Sequence, residues 1–344
     1  MTADKADERL GPATVAAALA LSLLCAVLIR VFLCAEAPQS SEIRRTFPAL
    51  GTFATVVVQI PPDEGPLLVD SLQRLLSDIE QELSLFAESP IRRLNSEGRL
   101  HLNDRRHLRR ILIASDSLRE ITGGLFDPSI GAVVELWGFP GEPSVPDSFR
   151  LDSVLRAHTG WSNVSWAGDS VILSNGTKVD FGAIAKGYAV DLTYERAIEL
   201  GATAALVEIG GEVRCGSVDS CERVWKVGIR DPRGQGVSRV LRISRGSIAT
   251  SGDYECRFRE KGVTYCHLID PRTGWPETGV ASATVLCDRC VDADALATAL
   301  AVGGVEAAQG LPEGACWAIL IVLEDETGET HEWRSSTWKE KWNG

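Results

Sequence analysis

The chain is short of positive charge: it sets 35 lysines and arginines against 47 aspartates and glutamates, a formal net charge of −12. Such a balance argues against a nucleic-acid binder, because no basic field exists to neutralise phosphates. Histidine is also scarce, with five in 344 residues, so a histidine in a polar turn stands out. The Gly-x4-Gly-Lys-Ser/Thr pattern is missing, which excludes a P-loop. Cys287 and Cys290 have Cys-x-x-Cys spacing, but no second pair of that spacing follows, which argues against a zinc site. A redox pair, a disulfide or simple burial remain open for them. Internal repeats and long low-complexity segments are absent as well.

What is present describes a globular protein. Hydrophobic residues make up 44% and charged residues 24%, ordinary values for a chain with a sizeable core. The length allows one large domain or two moderate ones. Ala13 to Ile29 form a mostly apolar run closed by Arg30. A hydrocarbon core needs about 20 helical residues, so with Arg30 snorkelling outward the run is just long enough to span. We expect residues 1–38 to be an uncleaved membrane anchor. A signal peptide cut near Ala35-Glu36-Ala37 is the other reading, and Pro38 directly after that cut disfavours it. Residues 39–45 read as a linker, 46–335 as the main domain and 336–344 as a tail. Cys256 and Cys266 flank an expected hairpin and could pair in an oxidising compartment. An extracytoplasmic location fits, either periplasmic or on the outer face of the cytoplasmic membrane.

Hydrophobic period places the elements. Leu68, Leu72, Leu75, Leu76, Ile79 and Leu83 recur at helical spacing within 66–83. Further helices are expected over 105–122, 148–158 and 185–200, and one capped by Asp292 that runs to about Val302. Strands are expected over 52–60, 163–166, 170–173, 204–209, 225–229, 240–243, 281–286 and 317–323, with a hairpin of 254–258 against 263–268. Strands mixed with separate helices favour an α+β fold with mixed or antiparallel sheets and packed helices.

Chemistry concentrates in four places. Asp294 and Thr298 stand at i and i+4, so they share one helix face and offer hard oxygen ligands suited to Mg2+. Asp180, Gly182, Lys186 and Gly187 form a strand-to-helix junction, where free N–H groups and an ammonium suit an anion. His267 opens a polar turn with Asp270, Pro271 and Gly274; such a histidine takes a proton from a hydroxyl, and Asp270 is placed to orient it. Leu125, Phe126, Asp127, Trp137 and Phe139 set aromatics beside a carboxylate, which suits a flat heterocycle. Thr250-Ser251-Gly252 reads as a turn able to hold an anion. Core packing and ordinary turns explain each of these alone equally well.

Together, in this order and spacing, the segments resemble the ApbE family, the FAD:protein FMN transferases. The resemblance runs from about Thr46 to Leu323 and rests on several stretches. They are Leu50-Gly51-Thr52, Phe126 to Gly131, Leu136 to Phe139, Asp180 to Asp191, Gly210-Gly211, Thr250 to Tyr254, His267 to Gly274 and Asp294 to Leu300. It implies a T-fold-like architecture and an enzyme that cleaves FAD with Mg2+. FMN is joined through its phosphate to a threonine or serine hydroxyl of an acceptor flavoprotein, and AMP is released. It implies a flavin site of Leu50, Phe86, Leu125, Phe126, Asp127, Asp180, Lys186 and Ile269. The metal is implied at the Ala183 carbonyl, Asp294 and Thr298, and the base is His267. Ala297 stands where some members carry an acid, Phe86 where some carry tyrosine and Leu50 where methionine is common. An anchored enzyme of this kind would act on membrane redox subunits. A metal-dependent FAD pyrophosphatase and a flavin-binding protein without turnover are the competing functions.

Overall fold

Strand residues here are sorted by the pleat. In the computed structural model, which describes residues 40–139, 141–218, 223–312 and 318–341, Ala54, Val56, Val58 and Ile60 of one strand enter the core on one sheet face, while Val57 enters a separate core on the other. The expected membrane anchor lies outside the described residues. Among the described residues no helix is long and apolar enough to cross a membrane. The described residues from Glu42 onward make one compact unit.

In chain order the strands are β1 (Ser41–Ala49), β2 (Thr52–Ile60), β3 (Arg99–His101), β4 (Val164–Ala167), β5 (Ser170–Leu173), β6 (Ala204–Ile209), β7 (Glu212–Ser217), β8 (Trp225–Arg230), β9 (Val237–Ile243), β10 (Gly246–Gly252), β11 (Arg257–Glu260), β12 (Val263–Cys266), β13 (Val280–Cys287), β14 (Ala318–Glu324) and β15 (Thr330–Arg334). The helices are α1 (Gly65–Leu83), α2 (Pro90–Glu97), α3 (Arg106–Ile121), α4 (Gly131–Trp137), α5 (Ser148–His158), α6 (Ala185–Glu199), α7 (Cys290–Gly310) and α8 (Ser336–Lys341). Eight strands form the main sheet in the order β1-β2-β6-β7-β10-β13-β14-β15. Its ladders from β2 to β15 are antiparallel.

The sheet divides two cores. One face carries α6 and α7, with α1 outside α6. On the other face the β8–β9 hairpin buries Trp225, Val227 and Ile229 and exposes Lys226, Gly228 and Arg230 in alternation with them. Strand β13 is therefore buried on both faces along its whole length, as a central strand covered on two sides must be. The fold is α+β with antiparallel sheets, as the mixed pattern implies.

Several local expectations are corrected. Residues 41–45, expected as linker, belong to β1, and 336–341, expected as tail, form α8, whose Trp338 is buried on the hairpin face. Thr250 and Ser251 lie in β10 rather than in a turn; Thr250 bonds Thr284 across the ladder. In the hairpin, Arg257 stands opposite Cys266. Cys256 is thus one residue out of register with Cys266, and the pleat sends the two side chains to opposite faces. Both are free thiols. Helix α7 is not capped by Asp292. Its first N–H groups, on Cys290 and Val291, donate to Asp191 of α6 at 2.9 and 3.0 Å. Gly304 breaks the α7 backbone with φ 58°, close to the expected end of that helix.

Candidate active site

The site begins where two helices approach too closely for any side chain. A Cβ at Gly187 would lie 2.4 Å from the Cys290 carbonyl oxygen and 2.7 Å from Asp294 Cβ. With only hydrogen there, the first turn of α6 sits on α7 and the Gly187 N–H donates to Asp294 Oδ2 at 2.8 Å. A free N–H of a helix start is thereby satisfied by a buried carboxylate.

Lys186 precedes that glycine and points into the same junction. Its Nζ donates to Glu212 Oε1 at 2.7 Å and stands 3.9 Å from Asp294 Oδ1. Glu212 and Asp294 are almost fully buried, with side chains 4% and 2% exposed. Burial pushes both carboxyls up, opposed by the lysine charge, and the two acids in turn hold the lysine ammonium charged. Thr298 follows Asp294 by one helical turn and shares a 3.0 Å hydrogen bond with Ser251 of β10.

This donor set fits a hard cation. Among the described residues Asp294 Oδ2 accepts from the Gly187 N–H, while Oδ1 stands 3.9 Å from Lys186 Nζ. The Thr298 hydroxyl lies on the same helix face, and the Ala183 carbonyl belongs to the turn that enters α6. Carboxylate, hydroxyl and carbonyl oxygens are ligands that Mg2+ takes.

His267 follows β12 and is half-buried. Burial, then the Lys186 charge, push its pKa down to about 4, against a smaller opposing effect of Asp253 and the Cys256 backbone. The imidazole is neutral at physiological pH, and among the described residues its buried Nδ1 has no hydrogen-bond partner, which leaves that nitrogen able to act as a base. Phe139 meets its ring edge-on at 6.5 Å. Asp270 does not orient it. That carboxylate accepts from the Arg272 backbone N–H and guanidinium instead.

The remaining predicted residues occupy three settings. Asp180 is half-buried, accepts the Gly182 N–H at 2.7 Å, and is pushed up by burial. It lines a cleft of about 360 Å3 with Leu85, Gly131 and Phe139. Leu50 tips the β1–β2 turn in the left-handed region, φ 49°, and its N–H is held by Glu80 Oε2 at 3.2 Å. A non-glycine residue there carries backbone strain of order 1 kcal/mol. Leu125 is half-buried against α7, touching the place where a Gly303 Cβ would go. Asp127 is tied to Arg119 Nε at 2.9 Å and to the Ser129 hydroxyl at 2.6 Å. Phe126, Ile269 and Trp137 are core residues, at most 4% exposed. The Trp137 indole donates to the Gly274 carbonyl at 2.8 Å, so this aromatic pins the His267 turn rather than offering a stacking face. Phe86 is 72% exposed. Sequence reasoning missed Glu212 and Asp191 as builders of the site. Glu212 follows directly on the Gly210-Gly211 turn, a signal that was available.

Comparison with known proteins places the chain in a family. The ApbE family model matches residues 50–318. The FAD:protein FMN transferase of Vibrio cholerae serotype O1 is 30% identical over 317 residues, covering 87% of this chain and 92% of the relative. The enzyme of the same name from Treponema pallidum is 34% identical over 310 residues, covering 83% and 85%. The crystal structure of the ApbE protein from Thermotoga maritima superposes with a TM-score of 0.78 at 33% identity, covering 89% of this chain and 100% of that one. The apo flavinyl transferase ApbE of Pseudomonas stutzeri gives 0.77 at 28% identity, covering 89% and 98%. The chain belongs to the ApbE family.

Proposed function

We propose that this enzyme is an FAD:protein FMN transferase that works with Mg2+, modifies a threonine or serine of an acceptor flavoprotein and releases AMP. The observation that carries the reading is the junction of Lys186, Asp294 and Gly187, within electrostatic reach of a neutral His267. A phosphoryl-transfer site needs positive charge and a base side by side, and little covalent chemistry from the protein.

In this mechanism the Lys186 ammonium binds the pyrophosphate of FAD. Asp294, Thr298 and the Ala183 carbonyl would hold the magnesium, which supplies charge neutralisation to the pyrophosphate oxygens when bound. His267 accepts the proton of the acceptor hydroxyl. That oxygen forms a bond to the FMN phosphorus as the P–O bond to AMP breaks, and AMP carries away the bonding pair. The turn pinned by Trp137 keeps the imidazole in place. The half-buried flank of Leu50, Leu125 and Asp180 is the proposed flavin side.

Incubation with FAD, Mg2+ and a candidate acceptor tests the reading. Flavin fluorescence on the denatured acceptor supports it. AMP and free FMN without labelled protein would replace it with a pyrophosphatase, and intact retained FAD with a binding protein. The apolar run from Ala13 to Ile29 supports a membrane anchor that holds the enzyme outside the cytoplasm beside membrane redox subunits. Recovery of the full chain in the wash-soluble fraction would refute that placement.

A further inference from the structure

Glu212 is a buried carboxylate to which the transfer chemistry assigns no task. It is built in with some care. The Gly210-Gly211 turn feeds β7, and a Cβ at Gly210 would meet Thr52 Cγ2 at 2.9 Å and Lys186 Cδ at 3.2 Å. The bare glycine thus leaves the passage along which the lysine stem reaches Glu212. Its Oε1 accepts from Lys186 Nζ at 2.7 Å, while its buried Oε2 has no partner among the described residues. A buried carboxylate oxygen without a donor is costly. Apolar side chains would fill the same space without that cost, so a carboxyl kept there points to a use.

The geometry shows the use. The ammonium faces Glu212 and Asp294 at close range, with the Glu255 carboxyl in its wider electrostatic surroundings. A shift of little more than an ångström would carry Lys186 Nζ from Glu212 onto Asp294 Oδ1, now 3.9 Å away. There it would satisfy the oxygen that the cation reading needs free. We propose that Glu212 is a positioning residue: it draws the Lys186 ammonium off Asp294 and so keeps Asp294 Oδ1 available to a divalent cation. The proposal rests on the assignment of Asp294 as a metal ligand.

Mn2+ binding to the purified full chain, read by electron paramagnetic resonance without FAD, tests it independently of turnover. Glu212→Gln should bind Mn2+ about tenfold more weakly or worse, the usual scale for a group that supports a ligand from behind. Adding Lys186→Met should restore affinity to near wild type, because no ammonium is left to occupy Asp294. Glu212→Asp keeps the charge but shortens the reach, so its affinity must fall too; this variant also serves if Glu212→Gln folds poorly. Wild-type affinity in Glu212→Asp and Glu212→Gln, or a double variant as weak as Glu212→Gln, would overturn the proposal. An Asp294→Asn control separates the two readings. Weakened Mn2+ binding there with normal binding in the Glu212 variants removes only the positioning role. Unchanged binding in Asp294→Asn removes the metal assignment and the positioning role with it.

Discussion

Replacing Gly187 with alanine sets two principles against each other with opposite signs. Gly187 lies inside α6. Helix propensity alone says that alanine there should stabilise the protein by about 1 kcal/mol. The tertiary structure says otherwise. The new Cβ would stand 2.4 Å from the Cys290 carbonyl oxygen, 2.7 Å from Asp294 Cβ and 2.8 Å from the Cys290 carbonyl carbon. Two of these are backbone atoms with no rotamer to yield, so α6 and α7 must separate by about an ångström to reach ordinary contact. Overpacking of this kind costs about 1–3 kcal/mol. Separation also stretches the 2.8 Å bond from Gly187 N to Asp294 Oδ2, a hydrogen bond to a charged group worth about 1.5–3 kcal/mol. Offset by propensity, the net loss is about 1.5–5 kcal/mol. Urea unfolding followed by circular dichroism measures it, with the slope checked to confirm that only the midpoint moves. FMN transfer should fall with it, because Asp294 shifts relative to Lys186. A variant equal to or more stable than the parent, with full transfer, would show that the close helix crossing does not build the site.

The other predictions concern single side chains and pH. Asp294→Ala should abolish FAD cleavage and transfer together; full activity would remove the metal assignment. His267→Gln should lose transfer by about 10²-fold or more, the scale of a general base, with FAD affinity kept in a fluorescence titration; an unchanged rate would remove its role. Asp191→Asn leaves Arg214 and the Cys290 and Val291 N–H groups facing a neutral amide in a buried place, and should lower unfolding free energy by about 2–4 kcal/mol; a loss below 0.5 kcal/mol would refute the capping account. His107 is 1% exposed, and burial followed by the Arg106 charge takes it from 6.5 down to about 4. The unfolded chain binds this proton below pH 6.5 while the folded chain refuses it until about 4, so stability is lost as pH falls through that window, by up to about 3 kcal/mol. Urea unfolding at pH 7 and 4.5 reads the loss, and His107→Gln should reduce it; identical pH dependence in that variant would reassign it.

Local order in the chain determined much of this protein. The period of Leu68, Leu72, Leu76 and Ile79 marks α1, and α5 and β5 run where their patterns end, because amphipathic spacing and turn residues act over a few neighbours. The ordered motifs from Leu50 to Leu300 were enough to reach the family, and they named Asp294, Lys186 and His267 as the chemistry. Tertiary structure decided what those residues face. Thr250-Ser251-Gly252 carries turn composition, yet pairing with β13 makes it a strand. Cys256 and Cys266 look like a bridge until the hairpin register sets them on opposite faces. Asp191 caps α7 from ninety-odd residues upstream, and Asp270 prefers Arg272 to His267. Trp137 and Phe126 were drawn into cores. Each of these depends on which distant backbone arrives beside the residue, and no short-range pattern encodes that. The pairing of Lys186 with Glu212 rather than Asp294 is the sharpest case: the ammonium lies 2.7 Å from one carboxylate and 3.9 Å from the other, beside a glycine turn that leads into another strand.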